Sequence, residues 1–237
     1  KEAAAVLAKN EQLRANLLRS ISHDLRTPLT SISGNASNLL SNGKLFDEET
    51  KERMYADIYD DAMWLINLVE NLLSVSRIEE GRMNLRLSTE LMDEVVSEAL
   101  RHVNRRKTEY HLSVRSSEEY LLVQIDARLI VQVLINMIDN AIKYTPDGGH
   151  IRVSAGSTED SVWMEVWDDG IGIPTKDRDR IFERFYRVDK SRSKATGGTG
   201  LGLAIVKHIA RIHNARIKLD SVVDEGTTIT VIFETAS

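Results

Sequence analysis

Two long stripes of apolar residues at helical spacing occupy the first 79 residues and limit the possible folds more than any other feature of the sequence. One stripe consists of Leu18, Ile21, Leu25, Pro28, Ile32 and Leu39, and the other of Met54, Ile58, Leu65, Leu68, Leu72 and Val75, widened by Tyr55, Ala62 and Val69. Asn42-Gly43 separates the stripes, Asp47 is a suitable N-cap for the second helix, and Gly81 can end it. The pattern therefore predicts an antiparallel helical hairpin.

Stripes this wide leave apolar surface that a two-helix hairpin cannot bury by itself. Two copies that associate as a four-helix bundle would bury it, so we expect a homodimer. The alternative is that the hairpin packs on the rest of its own chain.

The spacing of apolar residues changes near residue 82. Seven short strand-like runs follow, at Met83–Leu87, His111–Arg115, Leu121–Ile125, Ile151–Ala155, Val162–Val166, Arg216–Ser221 and Thr227–Phe233. Helical stretches at about 90–104, 127–144 and 201–213 alternate with them. We expect an α+β protein of two domains, a helical hairpin of residues 1–81 and an α/β domain of residues 82–237 whose sheet is largely antiparallel.

The composition excludes several classes of protein. The 237 residues include 31 Lys and Arg against 36 Asp and Glu, a net charge of −5, so the chain lacks the basic character of a general nucleic-acid binder. It has no cysteine for disulfides or thiolate chemistry. No stretch approaches the roughly 18 apolar residues of a membrane-spanning helix. Because the sequence starts inside a helical pattern without an N-cap, we expect a piece of a longer protein.

His23 lies on the side of the first predicted helix that faces away from the apolar stripe. At 100° per residue it falls close to 180° from the centre of the stripe, and Thr27 follows about 40° away, one turn later. Pro28 has no N–H for the carbonyl of Asp24, so a helix that passes through it must kink. A neutral imidazole is a nucleophile, and the Asp24 carboxylate can act as its base or fix its tautomer. A plain surface histidine beside a plain kink is the alternative.

A polar row runs along the predicted helix 127–144, for which Asp126 is a suitable N-cap. Gln132, Asn136, Asn140 and Lys143 form the row at spacings of four, four and three. Carboxamide oxygens can bind a hard cation such as Mg²⁺, and a lysine beside them suits phosphate. A solvated helix face is the alternative.

Three glycine-rich turns lie in the second half of the chain. Asp168 ends a strand-like run just before Gly170 and Gly172, and its carboxylate can accept a hydrogen bond from an exocyclic amine such as that of adenine. The run Gly197–Leu203 opens a helix whose N–H groups can bind phosphate, although it matches neither the Walker loop nor the dinucleotide fingerprint. The third turn is Glu225–Thr228.

Residues 171–198 are basic within an acidic chain. They contain eight Lys and Arg against four Asp and Glu, and glycine flanks the segment at both ends. Such a segment is typical of a mobile lid over a polyphosphate.

Together these motifs resemble those of bacterial sensor histidine kinases of two-component systems, over essentially the whole chain. Ser22–Leu29 resembles the phosphoacceptor box, Asn136–Tyr144 the Asn box, Asp168–Ile173 the first Gly box, Phe182–Arg187 the Phe box, Gly198–Leu203 the second Gly box and Glu225–Thr228 the last Gly box. The run HDLRTPLTSISGNASNLL, which begins at His23, is most similar to the Kdp-type potassium sensor kinases.

The resemblance implies a dimerisation and phosphotransfer hairpin followed by an ATP-binding α/β sandwich of the type shared by Hsp90, gyrase and MutL. It implies ATP and Mg²⁺ as ligands, a response-regulator receiver domain as partner, and no direct contact with nucleic acid. It also implies a cytoplasmic domain of a parent protein in the bacterial inner membrane, attached only through missing upstream segments.

The resemblance also implies roles for individual residues. His23 would be phosphorylated, with Asp24 as its base or orienting partner and Thr27 placing water to dephosphorylate the receiver. Asn140 would hold Mg²⁺, with Asn136 and Lys143 helping at the phosphates. Tyr144 would lie beside the nucleotide, and Asp168 would bind the adenine amine from the turn that contains Gly170 and Gly172. Arg187 would approach the γ-phosphate, and Thr227 would bind the nucleotide from the last box. The residues around the phosphates would be Gly198, Thr199, Gly200, Leu201 and Gly202.

Two other functions stay open at the level of the sequence. The same pocket could belong to an ATPase that drives conformational work, as in the Hsp90 relatives, and His23 would then be incidental. The chain could also act mainly as a phosphatase of its receiver, through Thr27.

Overall fold

The computed structural model describes residues 2–81, 83–103, 110–116, 120–184, 186, 188 and 200–234. They form two compact units, which divide between Glu70 and Asn71. The first unit contains α1 (Glu2–Asn42) and most of α2 (Glu48–Glu79). The second contains the last turns of α2 and the described residues after it.

The first unit contains the two helices that the apolar stripes predict. α1 is continuous through Pro28. The Asp47 carboxylate accepts a hydrogen bond from the backbone N–H of Thr50 at 2.8 Å, as expected of an N-cap. Asn35 of α1 donates to the carboxylate of Asp57 of α2 at 3.4 Å, which links the two helices.

Part of the apolar surface of α2 lies open in the single chain. Met54 and Leu68 are buried, whereas Tyr55, Ile66 and Val69 are about half exposed. This exposed strip is the surface that the predicted four-helix bundle would cover.

The last turns of α2 belong to the core of the second unit. Val75 is 7% exposed within that core, and Leu72 packs against it. The compact units therefore divide inside α2, whereas the predicted domain bounds, 1–81 and 82–237, follow the end of the helix. Those bounds stay a prediction about functional domains.

The described residues of the second unit form seven strands and three helices beyond α2. The strands are β1 (Ser88–Leu91), β2 (Tyr110–Ser116), β3 (Leu122–Ile125), β4 (Gly149–Ser157), β5 (Ser161–Asp168), β6 (Arg216–Val222) and β7 (Gly226–Glu234). The helices are α3 (Met92–Arg101), α4 (Ala127–Tyr144) and α5 (Gly202–Ile212), with a 3₁₀ turn at Thr175–Asp177. In the described part of the whole chain, no helix is both long enough and apolar enough to cross a bilayer.

The main sheet has the strand order β2-β4-β5-β7-β6, and β1 pairs with β3 in a small second sheet. Only β2 and β4 are parallel among the described pairs, so the prediction of a largely antiparallel sheet is confirmed. α4 contacts β4 and β5 on one side and both α3 and α5 on its flanks. The result is the predicted α/β sandwich, with one layer of helices on one sheet.

The core lies between α4, α5 and the sheet. Its largest fully buried side chains include Ile130, Leu134, Met137 and Ile138 of α4, Ile205 and Ile209 of α5, and Ile151 and Met164 of the sheet. α4 begins where predicted, because the Asp126 carboxylate accepts from the backbone N–H of Leu129 at 3.3 Å.

The strand predicted at Met83–Leu87 is wrong, because β1 begins only at Ser88. The backbone N–H of Arg86 instead donates to Asp126 Oδ2 at 3.0 Å, and Met83 and Leu85 pack on the core. This segment is therefore held by its hydrogen bond to Asp126, the N-cap of α4, and not by pairing with another strand.

Lowering the pH is expected to destabilise the second unit through His213. Its Nε2 accepts a hydrogen bond from the backbone N–H of Asp126 at 3.1 Å, and its Nδ1 lies 2.8 Å from the carbonyl oxygen of Ile209. Burial disfavours the charged ring and so lowers the pKa of His213 below its usual 6.5. The stabilisation of the fold by the neutral ring is therefore complete above pH 6.5, and it is lost as the pH falls through the lowered pKa.

The measurement is urea unfolding of the wild type and of a His213→Gln variant at about pH 7.5 and about pH 5. We expect the wild type to lose more free energy of unfolding than the variant, by about 1 kcal/mol, the typical contribution of one hydrogen bond. Equal losses in the two proteins would contradict this role of His213.

Candidate phosphoacceptor and nucleotide site

His23 of α1 is accessible to solvent, as the helical spacing predicts. Its side chain is 73% exposed, and its Nδ1 lies 3.6 Å from Oδ1 of Asp24, whose side chain is only 12% exposed. Thr27, one turn further on, is exposed as well. The first unit therefore presents an imidazole to solvent with a carboxylate within ion-pair distance.

Asp168 is a buried carboxylate of the second unit. It is 6% exposed at the end of β5, and its Oδ1 accepts a hydrogen bond from the backbone N–H of Gly170 at 2.9 Å. The backbone N–H of Thr227 on β7, directly across the ladder, is a second donor. Burial raises the pKa of Asp168 to about 6, against the effect of these two donors. A carboxylate held in this way is ionised at neutral pH and can accept from an amine.

The glycines beside Asp168 are required by the protein's own backbone. A Cβ at Gly170 would lie 2.5 Å from the carbonyl oxygen of Tyr144, and one at Gly172 would lie 2.0 Å from that of Val222. Gly172 also has a φ of 65°, which disfavours other residues. The resemblance places these glycines in the turn of the adenine-binding residue, and the structure supplies a further reason for them within the fold.

The side chain of Asn136 is engaged within the second unit. Its carboxamide and that of Asn71, in the last turns of α2, donate to each other at 2.9 and 3.1 Å. Gln132 joins them through Asn71 at 3.1 Å and through Ser74 at 2.9 Å. To act at the phosphates as predicted, the Asn136 side chain must therefore give up its hydrogen bonds to Asn71 and bind the nucleotide in their place.

Three more predicted site residues lie at the end of α4. Asn140, Lys143 and Tyr144 are each half-buried, and the Lys143 ammonium lies 5.1 Å from the centre of the Tyr144 ring. The carbonyl of Tyr144 accepts from the backbone N–H of Ile171 at 3.2 Å, which joins α4 to the turn after Asp168. The structure thus brings the end of the Asn box to the first glycine turn.

The donor set near Asn140 fits Mg²⁺ that arrives with a nucleotide. Within the described part of the chain, no three His, Cys, Asp or Glu side chains are grouped to hold a metal. Mg²⁺ is commonly held by one or two protein oxygens together with substrate phosphates. One carboxamide oxygen from Asn140 meets that requirement.

The start of α5 lies beside the Asn box. Gly200 has a φ of 69°, Leu201 is fully buried, and a Cβ at Gly202 would lie 3.2 Å from Oδ1 of Asn136. The first turn of α5 therefore approaches the middle of α4. The N–H groups at a helix start of this kind can bind phosphate. Arg187, Gly198, Thr199 and residues 189–198 of the predicted lid lie outside the described residues, so their roles stay predictions.

Sequence reasoning missed three polar residues of this region. Asn71 lies next to Leu72 of the second apolar stripe, and nothing in the sequence indicates its pairing with Asn136. Asp139 lies next to Asn140 in the polar row, and burial raises its pKa to about 7. Ser221, the third, is a buried residue of β6 that hydrogen-bonds the turn after Asp168.

A separate cavity of about 170 Å³ lies between α5 and the last turns of α2. Its polar lining consists of Arg184, Lys207, His208 and Arg211, and none of the predicted nucleotide residues lines it. Burial lowers the pKa of His208, and the charges of Arg211 and Arg184 lower it further.

Two family comparisons divide the chain as its motifs do. Residues 13–81 match the family described as the His Kinase A (phospho-acceptor) domain. Residues 125–237 match the family described as histidine kinase-, DNA gyrase B- and HSP90-like ATPase. His23 falls in the first match, and the region of Asp168 falls in the second.

Curated proteins with similar sequences are sensor kinases. The chain is 42% identical over 217 residues to the sensor protein KdpD of Clostridium acetobutylicum, covering 92% of this chain and 24% of that protein. It is 36% identical over 225 residues to the sensor histidine kinase WalK of Bacillus subtilis, covering 94% of this chain and 37% of that protein. The chain thus spans well under half the length of either relative.

Solved structures show the same architecture. The histidine kinase AdeS of Acinetobacter baumannii aligns with a TM-score of 0.60 at 25% identity, covering 91% of this chain and 98% of that one. Full-length ShkA in complex with AMPPNP aligns with a TM-score of 0.62 at 26% identity, covering 93% of this chain and 46% of that one. The chain therefore belongs to the sensor histidine kinases and carries their phosphoacceptor domain followed by their ATPase domain.

Proposed function

We propose that this chain is an ATP-dependent protein-histidine kinase that phosphorylates itself on His23 and passes the phosphoryl group to an aspartate of a response-regulator receiver. The observation that carries the proposal is the solvent-exposed His23, 73% accessible, on a phosphoacceptor helix of a chain that also has a buried adenine-type carboxylate, Asp168.

The chemistry is a displacement at phosphorus. A ring nitrogen of neutral His23 attacks the γ-phosphorus of ATP, the bond from that phosphorus to the β,γ-bridging oxygen breaks, and ADP leaves. The proton of the imidazole passes to a base, for which the Asp24 carboxylate at 3.6 Å is the nearest candidate. Asp168 holds the adenine amine and so fixes the nucleotide. Mg²⁺ on Asn140 would neutralise phosphate charge, which with positioning supplies most of phosphoryl-transfer catalysis.

We also propose that the chain works as a homodimer. The half-exposed strip on α2 (Tyr55, Ile66 and Val69) supports this proposal, because monomers rarely leave such residues aligned on one helix. The resemblance supports a receiver domain as the second partner. It also supports a cytoplasmic position in a membrane-anchored parent, and the similarity to KdpD supports potassium or osmotic signalling.

The experiment is incubation with γ-³²P-ATP and Mg²⁺, followed by acid and base treatment of the labelled protein. We expect label that is lost in acid and retained in base, as for a phosphohistidine. Release of free phosphate without labelled protein would instead favour an ATPase of the Hsp90 type.

Thr27 supports an additional phosphatase activity toward the receiver. It is exposed one turn after His23, where its hydroxyl can orient a water molecule. We expect Thr27→Ala to slow dephosphorylation of the receiver by roughly 10-fold, the upper range for one lost hydrogen bond, while self-labelling of His23 continues. The measurement is the decay of a phosphorylated receiver with ADP present. An unchanged decay would exclude this role.

A further inference from the structure

Two turns pack against each other beside Asp168. The turn at residues 170–173 follows β5, and the turn at residues 222–226 joins β6 to β7. The backbone N–H of Asp224 donates to the carbonyl of Ile171 at 2.9 Å, and Gly172 lies against the carbonyl of Val222. Neither turn can shift without the other.

The hydroxyl of Ser221 ties these turns together. Ser221 is 5% exposed, and its Oγ accepts from the backbone N–H of Ile173 at 2.8 Å and donates to the carbonyl of Gly226 at 2.9 Å. Its Oγ also lies 2.8 Å from the hydroxyl of Thr227, which can donate to it. One donor and two acceptor positions are all a serine has, so every one of them is used.

The backbone donors of Asp168 are placed by the same turns. Gly170 contributes one N–H from the first turn, and Thr227 of β7, directly after the second turn, contributes the other. The Arg178 side chain adds an outer clamp, because it donates to the carbonyl of Ile173 at 3.4 Å and to that of Ser221. The position of the Asp168 carboxylate thus depends on the distance between the turns, and Ser221 is the buried side chain whose hydrogen bonds join them.

We propose that Ser221 is a positioning residue for nucleotide selection, which holds the Asp168 carboxylate where it accepts from the amine of adenine and rejects the carbonyl of guanine. The proposal rests on the proposed function, in which Asp168 receives adenine. Guanine presents an acceptor oxygen in place of the amine, so a carboxylate fixed there repels it. A carboxylate that can move discriminates less, because it can turn away from that oxygen.

The test compares Ser221→Ala with Ser161→Ala in the full chain. Ser161 is also a buried serine of the sheet, it contacts the hydroxyl of Thr158 at 2.7 Å, and it lies at the other end of β5 from Asp168. We expect Ser221→Ala to weaken ATP binding about 3- to 10-fold and GTP binding less, the range for one lost hydrogen bond. Ser161→Ala should leave the ratio of the two affinities unchanged. An unchanged ratio in folded Ser221→Ala would overturn the proposal.

A second measurement does not need a nucleotide. The pKa of Asp168, raised to about 6 by burial and by the charge of Asp169, is held down by the donors from Gly170 and Thr227. Loosening the turns weakens those donors, so carboxyl ¹³C NMR should show a higher pKa in Ser221→Ala and no change in Ser161→Ala. Ser221→Cys, of nearly the same size, serves if the alanine variant does not fold.

The two measurements separate the possible failures. If the wild type binds no ATP and the pKa of Asp168 still rises in the Ser221 variant, the proposed function fails and the positioning by Ser221 stands. If the pKa of Asp168 does not respond to the Ser221 variants, the positioning role is wrong, whatever the nucleotide affinity.

Discussion

Replacement of His23 by Gln is expected to abolish the acid-labile label from γ-³²P-ATP while leaving ATP binding unchanged. Glutamine is similar in length and polarity, but it has no ring nitrogen to attack phosphorus. Asp168, Asn140 and the other described residues predicted to bind the nucleotide lie in the other compact unit, so the substitution should not reach them. Filter binding of label and calorimetric titration with a non-hydrolysable ATP analogue measure the two properties separately.

The matched control for this experiment is His111→Gln. His111 is also exposed, but it lies on β2 and stacks on His150 with the ring centres 4.9 Å apart. Labelling of this variant should equal that of the wild type. Acid-labile label that persists in the His23 variant at the level of the wild type would sink the assignment of His23.

Replacement of Asp168 by Ala is expected to weaken ATP binding by roughly 10- to 100-fold, because a hydrogen bond to a charged group contributes about 1.5–3 kcal/mol. The loss should also remove the preference for ATP over GTP. In the wild type, ATP affinity should decline as the pH falls through about 6, since protonated Asp168 no longer accepts as a carboxylate. Fluorescence titration with a nucleotide analogue across that pH range measures both effects.

Asp169→Asn is the control for Asp168. Asp169 is the adjacent carboxylate, but it accepts from the backbone N–H of His150 at 2.6 Å and contacts its ring nitrogen at 2.9 Å. Burial raises its pKa, but these contacts with His150 outweigh burial and leave the pKa below its usual value. We expect nearly normal ATP binding from this variant. An equal loss of ATP affinity in the Asp168 and Asp169 variants would mean that ATP binding depends on the local negative charge and not on the position of the Asp168 carboxylate.

Several features could be predicted from the residues alone because they depend on local chemistry. The outward position of His23 follows from helical geometry, and the caps at Asp47 and Asp126 follow from side-chain oxygens placed before a helix. The pairing of Asp168 with Thr227 in the sheet is different, because strand order and register join residues far apart along the chain. The sequence indicates both residues, but not that one donates to the other.

The error at Met83–Leu87 has a physical cause. This segment has the alternation of a strand, but Asp126, 40 residues away from Arg86, supplies the partner that decides its conformation. The glycines at 170 and 172 show a related limit of the sequence, because the backbone carbonyls of Tyr144 and Val222 require them whether or not a ligand binds there. In both cases the deciding contact is distant along the chain.

The sequence by itself predicted the architecture, the outward-facing histidine and the carboxylate that we propose for adenine, since periodicity, capping and residue type act over one or two helical turns. Only the tertiary structure decided how these groups are held. The Asn71–Asn136 pair joins residues 65 positions apart, and the Ser221–Ile173 bond joins residues 48 apart. No local pattern encodes such contacts, because they form only when the packed core brings the two segments together.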